Sequence, residues 1–240
     1  MKMVIQLFLL IFLLTIIFLI SKQIVNHTFS VIQKLFKNKK TAVWILALLF
    51  LPGTVIHELS HLVTALILRV NTGPISIFPK IIGDSPHAGT VPFRVKVGHI
   101  MVANTDSIRL TIIGVAPMVV GLVIIFILGN TFFGDSPRSG TVPFTAAIRG
   151  VFIYFLFITS TSMFASRQDL KSLLITLPVV ILIVAALYLS GIKITVEGNI
   201  LEKIDGILSK LNRSLILTAG VNYVVLIILA SLSWLGRRLR

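Results

Sequence analysis

The chain has 240 residues, of which 56% are hydrophobic and only 12% charged, about half the charged fraction of an ordinary soluble domain. So apolar a chain has too little polar surface to face water on all sides, which excludes a soluble globular protein and makes a lipid bilayer its solvent. The net charge of +14 gathers at the ends of apolar runs, at Lys34, Lys37, Lys39 and Lys40 and at Arg237, Arg238 and Arg240, as membrane flanks do, so no nucleic-acid partner is implied.

Six apolar runs are long enough to span ~30 Å of hydrocarbon at ~1.5 Å per residue, near residues 3–20, 43–70, 108–129, 147–165, 172–190 and 214–235. The expected fold class is an all-α polytopic membrane protein with about six transmembrane helices and a short β-hairpin after the second. Three parts follow: 1–41, an N-terminal transmembrane helix and amphipathic connector; 42–191, the core; 192–240, a polar loop and a C-terminal transmembrane helix.

The first run has Lys2 ahead of it but no small-residue cleavage site after it in Ser21-Lys22-Gln23, so it reads as a retained helix and not as a signal peptide. Over 21–41, Ile24, Val25, Phe29, Val31, Ile32, Leu35 and Phe36 fall near one helix face among lysines, which suggests an interfacial amphipathic helix. A solvated connector fits the same residues.

The segment 71–106 changes character. Gly73-Pro74 opens Ile75-Ser76-Ile77-Phe78, then a Gly83-Asp84-Ser85-Pro86 turn leads to Thr90-Val91-Pro92-Phe93-Arg94-Val95-Lys96-Val97. β-branched and aromatic residues about such a turn predict a membrane-associated hairpin, with Pro92 on an edge or at a bulge. The block Gly83–Phe93 recurs as Gly134–Phe144. One span separates the copies, which puts them on opposite membrane faces and favours a local duplication without a shared role.

Chemistry is concentrated in the second run, at His57-Glu58-Leu59-Ser60-His61. On a helix, residues four apart share a face ~6 Å apart along the axis, so both imidazoles can reach one Zn²⁺, with Glu58 beside them to move a proton. With the span ending at residue 70, His61 lies nine residues, or ~14 Å, inside it. Ionisable groups there cost ~2.5–3.5 kcal/mol or more unless paired or solvated. A polar helix-packing cluster without metal is the plain alternative.

Two imidazoles leave a catalytic zinc one protein ligand short, and the absence of cysteine restricts the third to His, Asp or Glu. Glu197, Glu202 and Asp205 fall in the polar loop, Asp84 and Asp135 in turns, and Asp106 at the start of the third span as a helix N-cap. His87 and His99, in the hairpin, could each ligate. Asp169 follows a polar patch, Thr159-Ser160-Thr161-Ser162-Met163-Phe164-Ala165-Ser166-Arg167-Gln168, between two apolar spans. There it either caps the fifth helix or supplies the missing ligand, in which case 159–168 should line a water-accessible recess. Asn222 is the other polar residue that stands out within a span.

A His-Glu-x-x-His in a membrane helix, a β-rich segment after it and a late Asp resemble the site-2 protease family of intramembrane zinc metalloproteases. The resemblance covers roughly 43–190. Ile113-Gly114-Val115-Ala116-Pro117-Met118 and Ser162-Met163-Phe164-Ala165-Ser166-Arg167-Gln168-Asp169 are similar to motifs of small bacterial members. The Asn-Pro-Asp-Gly or Leu-Asp-Gly motif of better-known members is absent. The resemblance implies Zn²⁺ on His57, His61 and Asp169, Glu58 as the catalytic base or acid, and membrane-embedded protein substrates cleaved by zinc-activated water. Basic residues divide about equally between the two sets of loops, about eleven to each, so charge sets no orientation. The family's arrangement implies a bacterial-type cell membrane with both termini cytosolic. A zinc-binding membrane protein without protease activity, either a metal transporter or a catalytically dead regulator, is the alternative.

Overall fold

The computed structural model describes residues 2–76, 80–82, 94–96, 99–102, 105–133, 146–164, 182 and 198–238. They form six α-helices, α1 (Lys2–Phe36), α2 (Lys39–Leu49), α3 (Leu51–Ile67), α4 (Ser107–Phe133), α5 (Ala146–Ser162) and α6 (Gly198–Arg238), and four strands, β1 (Thr72–Ser76), β2 (Lys80–Ile82), β3 (Arg94–Lys96) and β4 (His99–Val102). Three helices, α1, α4 and α6, are long and apolar enough to cross a membrane, and α2 with α3 passes the same test as a pair bent by 67°. The expected fifth span, 172–190, lies outside the described residues except for residue 182. So do both copies of the repeat, with the Gly83–Pro86 turn and Pro92 in the first of them.

The surface inverts the soluble pattern. Phe8 is 70% exposed and Ile67 74%, whereas Asn212 and Asn222 are 2% and 0% exposed. Apolar side chains outward and polar ones inward suit a hydrocarbon solvent. The helices meet through Leu13 and Ile17 of α1, Ile125 of α4, Leu156 of α5, Met163 just after it and Leu215 of α6. Hydrogen bonds join them too: Asn222 Nδ2 donates to Ser160 Oγ at 2.9 Å, and Ser21 Oγ donates to the Ser160 carbonyl at 3.4 Å. Polar side chains of this kind hold apolar helices together where no hydrophobic drive exists between them.

Helix α1 runs without a break from Lys2 to Phe36, taking in most of the segment expected as a separate interfacial connector. Ser21, Ile24, Thr28 and Ile32 extend the buried stripe begun by Leu13 and Ile17, so this face is covered by the bundle. Its main neighbour is α6. Asn212 donates to Gln6 Oε1 at 2.6 Å, and His27 Nδ1 lies 3.2 Å from Ser233 Oγ, both pairs separated by 206 residues. Low numbers meet low and high meet high, so α1 and α6 are parallel.

This orientation bears on the number of crossings. If two adjacent parallel helices both cross the membrane, an odd number of crossings separates them, and the chain ends on opposite faces. Six spans leave four crossings between the first and the last, and both termini on one face. The polar loop expected from 192 also shortens, because α6 begins at Gly198. Ile200, Ile204, Ile207, Leu208 and Leu211 recur at helical spacing, and Glu202 and Asp205 therefore lie on a helix.

The bend between α2 and α3 has a local cause. Pro52 sits in the first turn of α3, where its missing N–H costs nothing but bars α2 from continuing through it. Tyr154 Oη donates to the Leu49 carbonyl at the bend, at 3.0 Å. At its other end α3 closes with Val70 N–H to Ala65 O at 2.9 Å and Arg69 N–H to Leu66 O at 3.0 Å, with Arg69 at φ 55°. This is a Schellman closure, with the accompanying apolar contact between Val70 and Ala65 in the cluster they share with Ile113.

Strands β1 and β4 pair antiparallel with a register shift between Thr72 and Ile75, and both pack on α3. Pro74 falls within that shift, where its missing donor is tolerated. Strands β2 and β3 form a second antiparallel pair.

Candidate metal centre

Helix α3 buries Gly53, His57, His61 and Ala65 at four-residue spacing, with Glu58 and Ser60 beside them, and turns Leu59, Val63, Leu66 and Ile67 outward. The buried stripe is the side that packs against α4 and α5, as the i, i+4 rule requires. Its close approach depends on Gly53: a Cβ there would lie 2.7 Å from Ser162 Oγ and 2.9 Å from the Ile158 carbonyl oxygen of α5.

His57, Glu58 and His61 are 4%, 5% and 8% exposed. The two imidazoles stand at 85° with ring centroids 4.8 Å apart, and their Nε2 atoms face each other at 3.2 Å. His61 Nδ1 lies 2.8 Å from the Ile113 carbonyl oxygen of α4. A carbonyl only accepts, so Nδ1 carries the hydrogen, and in the neutral ring Nε2 then holds the lone pair. This is the arrangement that orients a metal-binding histidine.

The pair fits Zn²⁺. Two nitrogens each ~2.0–2.1 Å from one tetrahedral zinc sit about 3.3–3.4 Å apart, close to the 3.2 Å found here. Two lone pairs at that distance repel unless a proton or a cation lies between them, and a shared proton is the arrangement without metal. Ser60 plays no part, since its hydroxyl donates to the Ile56 carbonyl at 2.6 Å.

Among the described residues, no set of three His, Asp or Glu side chains converges to complete a metal site. Asp169 lies outside the described residues, as do Asp84, His87, Asp135 and Glu197. His99 is described only as backbone in β4, opposite Ser76. Asp106 behaves as the sequence suggests: its Oδ1 accepts the Arg109 N–H at 2.7 Å and caps α4.

Helix α3 ends at Ile67, so His61 lies six residues, ~9 Å along the axis, from the end of its helix. The polar residues Thr159, Ser160, Thr161 and Ser162 are buried: Ser160 bonds Asn222 and Ser162 Oγ donates to the Thr159 carbonyl at 3.2 Å, while residues 165–168 of the expected recess lie outside the described residues. The partner that the sequence reading misses is the Ile113 carbonyl, since a backbone acceptor has no letter of its own.

No family model, curated protein or solved structure matches the chain.

Proposed function

We propose that the chain is an intramembrane zinc metalloprotease of the site-2 protease kind, hydrolysing peptide bonds of membrane-embedded proteins. The observation that carries this reading is the buried His57–His61 pair, with its Nε2 atoms 3.2 Å apart and the His61 tautomer set from the other ring nitrogen. Bound zinc would supply an activated water and polarise the scissile carbonyl.

The chain's own residues do the rest. His57 and His61 hold the cation by Nε2, and Asp169 completes the set. Ser162 lies against Gly53, one helical turn before His57, and the seven residues from Ser162 to Asp169 can reach up to ~25 Å. Glu58 takes the proton from the attacking water and passes it to the leaving amine. A substrate helix hides its carbonyls in its own hydrogen bonds and must unwind before attack. The β1–β4 pair, packed on α3, offers a place where the unwound segment can add as a strand.

The test combines metal analysis of the purified protein with Glu58→Gln assayed on a panel of single-span substrates. The variant should keep its zinc and lose cleavage, because Glu58 moves protons and is not a ligand. Cleavage at near wild-type rate by Glu58→Gln overturns the mechanism. Zinc bound by a wild-type protein that cleaves nothing supports a metal-binding membrane protein without protease activity.

A further inference from the structure

Helix α4 contains one interior proline, Pro117, and its effect falls on one particular carbonyl. In an α-helix the carbonyl of residue i accepts the N–H of residue i+4. For Ile113 that residue is Pro117, which has no N–H and whose ring crowds the carbonyl four residues back. The Ile113 carbonyl is the one that His61 Nδ1 meets at 2.8 Å, in a buried setting.

We infer that Pro117 is a positioning residue for the metal centre: by withholding its N–H it frees the Ile113 carbonyl to fix the tautomer and orientation of His61. This rests on the proposed role of the histidine pair. In a medium without water, a carbonyl robbed of its donor and an imidazole N–H in need of an acceptor are both costly, and here each satisfies the other. The neighbourhood keeps them in place, since Ile113 packs with Ala65 and Val70 at the end of the motif helix. Gly114 and Ala116 are also buried in α4, small residues of the kind that let membrane helices approach. A proline serving only to kink α4 has no reason to stand four residues after the carbonyl that His61 uses.

The experiment compares Pro117→Ala and Pro117→Gly in the full-length protein. Both restore the N–H, yet they differ in helix stability, since glycine is ~1 kcal/mol worse than alanine inside a helix. Competition of a chelator for zinc should show affinity reduced ten- to a hundredfold in both variants, the range found when the outer partner of a metal-binding histidine is lost. The melting temperatures of the metal-free variants should separate, with alanine at or above wild type. Nitrogen-15 NMR of the metal-free protein should show His61 fixed as the Nδ1–H tautomer in wild type and mixed in both variants. Zinc affinity within twofold of wild type, or affinity losses that follow the melting temperatures, would overturn the inference. A wild-type protein that takes up no zinc but whose His61 tautomer shifts on Pro117→Ala removes the metal reading and leaves the positioning role standing. An unchanged tautomer removes the positioning role itself.

Discussion

Replacing Gly53 by alanine tests whether the motif helix is held by its contact with α5. The added Cβ would meet Ser162 Oγ at 2.7 Å, Ser162 Cβ at 2.8 Å and the Ile158 carbonyl oxygen at 2.9 Å, against an ordinary contact of ~3.5 Å. The helices must therefore part by roughly 0.6–0.8 Å at this point, because Ile158 offers backbone and not the far end of a flexible side chain. Such overpacking costs about 1–3 kcal/mol, and the gain in helix propensity offsets about 0.5–1 kcal/mol of it. The net expectation is a loss of about 0.5–2 kcal/mol, read by denaturant unfolding in mixed micelles. Ser162→Gly removes two of the three obstructing atoms, so the double variant should recover about 1 kcal/mol relative to the sum of the single changes. Additivity within ~0.3 kcal/mol would refute the contact and, with it, the close packing of α3 on α5.

Three further outcomes are expected. Purified protein should hold about one zinc per chain, the number that one His pair plus a third ligand can bind, and His57→Ala with His61→Ala should remove it; full occupancy in the double variant rejects the site. Asp169→Ala should weaken zinc binding by well over tenfold, in line with loss of a ligand, while Asp106→Ala and Asp84→Ala should not; equal effects from all three would show that another donor completes the set. Reporter fusions at the two ends of the chain should lie on opposite membrane faces, as the parallel packing of α1 and α6 requires; reporters on the same face would show that one of the two does not cross.

The shared face of the two histidines was legible because spacing alone determines it. Four residues on a helix bring two side chains to one face, and Gly53, His57, His61 and Ala65 follow that rule along the buried side of α3. Asp106 was legible for the same kind of reason, since an acid just before an apolar run has a local partner in the first turn. The bend at Phe50 was marked in the sequence by Pro52-Gly53, but the apolar run continues through it, and hydropathy does not respond to a missing N–H. The helical start of α6 was hidden in the opposite way. Its charges lower the mean hydropathy, while the 3.6-residue rhythm of its apolar positions persists.

What could not be read from the chain is direction and partnership. An apolar run is as hydrophobic read forwards as backwards, so six runs do not say which helices pair or in which direction. The direction of packing is decided by pairs such as Gln6 with Asn212 and Lys34 with the Ser233 carbonyl, and no window of sequence contains both members of either pair. The same holds at the site. His61 could be paired with His57 from its place on α3, but what holds its ring comes from α4, 52 residues away. A backbone carbonyl leaves a trace in the sequence only where a proline four residues later leaves it without a donor. Within a bilayer that trace carries more weight than in water, because no solvent is present to satisfy the carbonyl and a neighbouring helix has to do so. Interior prolines of membrane helices are therefore places to look for the side chain that answers them. In this chain the side chain answering Pro117 belongs to the His57-Glu58-Leu59-Ser60-His61 motif.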